Sequence, residues 1–402
     1  MLQNNGGDDL AIAANGTFTF TKPLARGESY AVTIKTQPNE PTRACTVSKG
    51  SGTMAEAAVV DVEVTCAARP IRFAYVANSG DDTISAYKID ANTGALSAMP
   101  VPSFATGGSP TAVLVDAAGH VAYVANANDN TVSAYTINGD TGELTILATV
   151  PAGDRPLAIT LHPTGRFAYV TNANSGNVSA YNVDRNSGAL SPMTVPTVDA
   201  GGNPTSLTID PSGRFGYVAN YTSDSISGYR IDLNTGALTP MAVPTFPAGQ
   251  YPGKVTVDPA GRFAYVYSGN EDKVMGYSID PVNGALTPMA RPVLTEDAPT
   301  DFVIDPTGRF AYVLRYGYNN ILAYTIDPDT GLFTALAAPP AITGNSPVSL
   351  ALDPSGRFAY TVNYNGSSVS EFTIDATTGA ISSMAVPTIA TGNSPISLAF
   401  SR

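Results

Sequence analysis

Residues 204–238, PTSLTIDPSGRFGYVANYTSDSISGYRIDLNTGAL, contain the unit from which most of the chain is built. PTSLTID alternates apolar and small polar residues, which suits a half-buried strand. Asp210-Pro211-Ser212-Gly213 places Asp first, Pro second and Gly fourth, the signature of a type I turn. Arg214 to Asn220 reads as a second strand rich in Tyr and Val, and Ser225 to Asp232 as a third. Asn234-Thr235-Gly236 supplies a hairpin loop with Gly where a positive φ is needed. A fourth, outer strand, LTPMAVP, starts at Leu238, and an edge strand can spare the donor that Pro lacks.

The unit recurs. Its Arg-Phe-(Ala/Gly)-Tyr-Val core returns with Phe or Val at positions 73, 121, 167, 215, 263, 310 and 358, in steps of 46 to 48 residues. The inner-strand Pro recurs at 110, 156, 204, 252, 299, 347 and 395. A period in the forties made only of short strands predicts a propeller with one four-stranded blade per repeat. The first Phe-Ala-Tyr-Val has no inner strand before it, and the last inner strand, from Ser394 to Phe400, has no blade after it. The C-terminal strand is therefore expected to complete blade one and close a seven-bladed ring without open edges. The fold class expected is all-β, with the propeller over 69–402 and a small β-sandwich module over 1–68.

Composition agrees with this reading. The chain has 402 residues, 37 Gly, 31 Pro and only 13% charged residues, a turn-rich balance without a sustained helical period. No apolar run is long enough to span a membrane. The net charge of −12 disfavours nucleic acid, because phosphate binding needs a basic stripe.

Residues 1–68 do not carry the repeat. LAIAANGTFTF, SYAVTIKTQP, ACTVSKG and AVVDVEVTC read as short strands between Gly-containing turns. The segment resembles the small immunoglobulin-like or prealbumin-like modules of bacterial secreted proteins, with Tyr30 as the candidate for a tyrosine corner. The two cysteines, Cys45 and Cys66, both lie here. They suggest a disulfide and an oxidising compartment; two buried thiols are the alternative. Met1 is followed at once by polar residues, so the expectation is a chain cut from a longer secreted precursor, placed in the periplasm, at the cell surface or outside the cell.

The repeat also resembles the lactonase-like branch of seven-bladed propellers, named after the tetrapeptide Tyr-Val-Thr-Asn. It stands intact at Tyr169-Val170-Thr171-Asn172 and as Tyr-Val-Ala-Asn from Tyr75, Tyr123 and Tyr217. This resemblance implies enzymes that use His, Arg and Glu near the central channel, several with a Pro-His-x-His run at the start of the inner strand. Here the residue after that Pro is Thr111, Leu157, Thr205, Gly253, Thr300, Val348 or Ile396. The only histidines, His120 and His162, fall in the turns between strands one and two, at the opposite face, which suits a structural role. No metal site is expected: there is no His pair at ligand spacing and no calcium-loop match, and Asp-rich tips such as Gly80-Asp81-Asp82 suit solvated turns. No cofactor is expected, since Trp docking motifs and Gly-rich phosphate loops are lacking.

Function is sought where one blade departs from the others. At the Asn place ending strand two the blades carry Asn78, Asn126, Asn172, Asn220, Ser268, Arg315 and Asn363. Two places after the inner-strand Pro they carry Ala112, Ala158, Ser206, Lys254, Asp301, Ser349 and Ser397. Both positions change in blades five and six, at one end of the propeller. Tyr251, Tyr316, Tyr318 and Glu296 lie in the adjoining loops, and Arg155 of blade three on the same face. This set is the candidate mouth for a polar or anionic small molecule; a Lys254–Asp301 salt bridge plugging the channel is the alternative. The expected function is an extracytoplasmic binding or interaction module for a small molecule, glycan or protein. A lactonase or cyclase-type enzyme and an architectural envelope protein are the alternatives.

Overall fold

The computed structural model describes residues 1–12, 16–35, 43–68, 72–271, 273–290, 293–294 and 299–401. Among them the only regular elements are strands. The chain divides into two compact units, Met1–Pro70 and Ile71–Arg402.

The second unit is the propeller. Blade four runs Pro204–Ile209, Phe215–Asn220, Ser225–Ile231 and Leu238–Pro247, paired in that order from inside to outside. The other blades repeat the order, and in blades five and six the outer strand is split into two short pieces. The C-terminal strand Pro395–Ser401 pairs antiparallel with Phe73–Asn78, so blade one is completed by the chain's last residues. Every inner strand carries a bulge beside its Pro, as at Pro204/Ser206.

The repeat motif builds the joints between blades. The strand-two tyrosine is fully buried and donates its hydroxyl to a glycine carbonyl in the next blade's outer hairpin: Tyr217 to Gly284 O at 2.7 Å, Tyr169 to Gly236 O at 2.6 Å, and across the closure Tyr360 to Gly94 O at 2.6 Å. These glycines need to be glycine. At Gly284 φ is +79°, and an added Cβ would meet the Phe215 ring at 2.4 Å. A second tyrosine, on strand three, reaches back to the preceding blade's outer strand, as Tyr229 does to Asp199 O at 2.6 Å. The repeated Arg lies over the Phe that follows it and donates to the next blade's hairpin carbonyls, as Arg214 does to Pro281 O at 2.9 Å. Each joint thus combines aromatic burial with hydrogen bonds that satisfy buried carbonyls.

The first unit holds one sheet of four short strands and a two-stranded ribbon, Arg43–Ser48 with Glu63–Ala68. Cys45 and Cys66 face each other directly in this ribbon and are bonded. The expected tyrosine corner is not formed. Tyr30 lies across Gly52, whose missing side chain leaves room for the ring, and its hydroxyl has no hydrogen bond among the described residues.

Candidate functional site

The end of the propeller where each inner strand starts is built from short polar loops that are bonded alike in most blades. In blade four, Asn220 accepts from Gly201 N at 3.0 Å and donates to Ser227 Oγ at 2.9 Å, and it is fully buried. Asn78, Asn126, Asn172 and Asn363 make the same bond to Ser85, Ser133, Ser179 and Ser370. A second link joins neighbouring inner strands. Ser206 Oγ accepts from Val255 N at 3.3 Å, and Ser397 Oγ from Val113 N at 3.2 Å.

Blades five and six satisfy the same backbone differently. Asp301, almost completely buried, accepts from Leu350 N at 3.0 Å through one oxygen, the role that serine plays elsewhere. Lys254 stands where serine would accept from Phe302 N, and an ammonium has no acceptor. Phe302 N bonds instead to the other oxygen of Asp301 at 2.8 Å, and Lys254 Nζ donates to that same oxygen at 3.0 Å. The pair bridges the inner strands of two neighbouring blades. Its lysine end still reaches water: the Lys254 side chain is 38% exposed, that of Asp301 9%.

Arg315 has other partners. It is 5% exposed, its Nε donates to Asn320 Oδ1 at 2.9 Å, and its guanidinium lies 4.3 Å from the centre of the Tyr318 ring. Leu322 occupies the place of the serine that binds Asn in five other blades, so Arg315 and Leu322 have changed together, while Asn320 stands where blade three carries Asn177. In blade five Ser268 bonds Gln250 O at 2.6 Å, and Met275 replaces the serine.

Tyr267 is the other departure. Its position carries Ala, Thr, Leu or Val in the other blades. A Cβ on Gly253 would lie 1.9 Å from its hydroxyl, so only glycine fits beneath it. The bulge widens here, with pairing lost from Pro252 to Val255. Burial, reinforced by Asp301 and Tyr221, pushes the Tyr267 phenol above its ordinary range, so it stays protonated and can donate.

The remaining candidates are dispersed. Tyr251 stacks on Tyr221 at 4.9 Å between ring centres. Tyr316 is exposed on its own loop. Arg155 is exposed, and its guanidinium makes no bond among the described residues. Glu296 and its neighbour Asp297 lie outside the described residues. His162 is buried in the opposite face, with Nε2 donating to Gly213 O at 2.9 Å and Nδ1 against Thr164 Oγ1 at 2.8 Å; burial holds its pKa below the ordinary value. A groove of ≈ 460 Å³ on that face is lined by the repeat's own Asp258, Arg262 and Arg309. No metal-binding group of three or more His, Cys, Asp or Glu forms among the described residues.

A residue of blade seven escaped the sequence reading. Glu371 occupies a strand-three place that is Ala or Gly in the other six blades. It is 1% exposed, accepts from Leu96 N of blade one at 2.9 Å, and burial raises its pKa to about 7.

The sequence profile of the family described as lactonase, 7-bladed beta-propeller, matches residues 42–158, 68–248, 239–342 and 313–397. The chain belongs to this lactonase family. No curated protein matches the chain in sequence. Among solved structures, the propeller is similar to a putative 6-phosphogluconolactonase of Bacteroides fragilis, with TM-score 0.73 and 19% identity over 83% of this chain and 98% of that one. The periplasmic gluconolactonase PpgL of Pseudomonas aeruginosa matches with TM-score 0.73 and 21% identity over 83% and 99%. Kuenenia stuttgartiensis hydrazine synthase matches with TM-score 0.56 and 19% identity over 76% and 95%. At these identities the likeness concerns the fold, and the lactonase-family membership rests on the sequence match.

Proposed function

We propose that the protein is a lactonase-type hydrolase that takes a sugar lactone or a related anionic sugar acid at the mouth of blades five and six. The observation that carries this is the charged head of Lys254, held by Asp301 yet open to water, in the sector where the repeat is rewritten. In lactone opening, water adds its oxygen to the carbonyl carbon and negative charge grows on the carbonyl oxygen. The ring C–O bond then breaks, and the leaving oxygen takes a proton. Lys254 is the cation for the developing charge and for the product carboxylate, and Tyr267, whose hydroxyl lies over Gly253, is a proton donor. Residues 69–402 carry this activity in the proposal. Residues 1–68 form an immunoglobulin-like spacer, and the disulfide and the periplasmic neighbour support an extracytoplasmic site of action.

A second reading, binding without turnover, is favoured by one observation. Both oxygens of Asp301 already accept hydrogen bonds, so this carboxylate is poorly placed to act as a general base. Titrating the acid released from gluconolactone and 6-phosphogluconolactone at constant pH separates the two. Release above the spontaneous rate, lost in Lys254→Met, supports the hydrolase. Binding of gluconate or 6-phosphogluconate without acid release supports the binding module.

A further inference from the structure

The geometry points to a carbohydrate-stacking platform at the junction of blades four and five, formed by Tyr221 and Tyr251 and suited to the face of a neutral pyranose in an oligosaccharide. This goes beyond lactone opening and does not depend on it. The two rings stack at 4.9 Å with 26° between their planes, and the residues are 41% and 40% exposed. Tyr251 has φ +52°, a left-handed conformation that a bulky residue rarely adopts. The equivalent left-handed places hold Ser109, Arg155, Asn203, Ser346 and Ser394, all small or flexible. The loop sustains an aromatic ring at an unfavourable backbone position and still leaves about two-fifths of the residue exposed to water (40%).

The surroundings fit that ring. Tyr251 N donates to Asp224 Oδ1 at 2.9 Å, which fixes its backbone. Gly269 lies beside it, and a Cβ there would meet Tyr251 O at 3.3 Å. Next to these two residues in the chain, Asn270 donates to Gln250 Oε1 at 3.1 Å, an exposed pair of amides with further donors and acceptors to spare. Aromatic faces beside side-chain amides match a ligand with C–H faces and hydroxyl edges. Nucleic acid bases would also stack, but their phosphates would meet a chain of net charge −12. Two rings are too few to enclose a quaternary ammonium.

Calorimetric titration with cellotriose, maltotriose and chitotriose tests the platform, with a polyproline peptide as the competing aromatic-groove ligand. At least one trisaccharide should bind the wild-type protein saturably. Tyr221→Ala and Tyr251→Asn should each weaken it by about three- to tenfold, the worth of one aromatic contact. Tyr251→Asn, which copies the residue of blade four, should melt no lower than the parent. Failure of all three sugars to bind, or equal binding by both variants, overturns the proposal. Tyrosine-dependent binding of the peptide alone also overturns it. Acid release from gluconolactone in the same wild-type sample is read separately, so a failed sugar platform is not mistaken for a failed hydrolase.

Discussion

Blades one to four and blade seven solve the joints at the mouth with one vocabulary, and blades five and six use another. In the first group an Asn binds a Ser seven residues on, in all five blades. In the second, Arg315 pairs with Asn320, Ser268 binds a carbonyl, and Lys254 and Asp301 exchange the acceptor that serine supplied. The backbone groups are satisfied in both. The difference is that the rewritten sector places a lysine, an arginine and extra tyrosines at the mouth without leaving those backbone amides unpaired. Changes this closely coupled mark a sector altered as a unit, as expected where local rules yield to a site.

The largest effect should come from breaking what both sectors share. Deleting residues 394–402 removes the inner strand of blade one and exposes a strand edge. Cooperative melting should be lost or the protein should aggregate in size-exclusion chromatography. A truncated protein that melts like the parent would contradict closure by this strand.

Glu371 sharpens the comparison, since it breaks the pattern in a regular blade, away from the mouth. Its folded pKa of about 7 lies above the ordinary 4.5, so the native state holds the proton more tightly. The contribution of Glu371 to stability is therefore fully present below pH 4.5 and is lost as pH rises through 7, by up to about 3 kcal/mol. Glu371→Gln should remove this slope in melting curves recorded from pH 5 to 8. An unchanged slope would show that other groups set it.

Asp301→Ser keeps the bond to Leu350 N but leaves Lys254 without its anion and Phe302 N without its acceptor. A loss of about 2 kcal/mol in denaturant unfolding is expected, the order for an unsatisfied buried amide with a partly exposed charge. Arg315→Asn restores the repeat's residue, but Leu322 cannot offer the serine hydroxyl. A loss of about 1 kcal/mol is expected, and a gain would mean that Arg315 is held only for a ligand.

The propeller was legible because Pro, Phe-Ala-Tyr-Val and Asp-Pro-x-Gly recur in phase, and closure followed from a strand left over at each end. The joints were not. The acceptor of the Tyr217 hydroxyl is a backbone carbonyl 67 residues on, and a carbonyl has no letter in the sequence. Lys254, Asp301 and Arg315 were legible as departures from the repeat, yet their bonding was not, because it depends on which amide each serine had served. Tyr221 was missed because Tyr316 and Tyr364 hold the same place, so it broke no pattern. Glu371 could have been found by comparing strand three, where Ala86, Ala134, Ala180, Gly228, Gly276 and Ala323 stand in its place.

The central claim is that the rewritten sector serves a ligand and is not needed for folding. The Lys254→Ser/Asp301→Ser double variant tests it most directly, because both serines then find the backbone partners they have elsewhere in the ring. Its melting temperature should equal or exceed that of the parent, while acid release from gluconolactone and 6-phosphogluconolactone falls at least about tenfold, the loss of one charge-assisted contact to the reacting group. A double variant that melts clearly lower and releases acid at the parental rate would contradict the account and leave the pair as a plug.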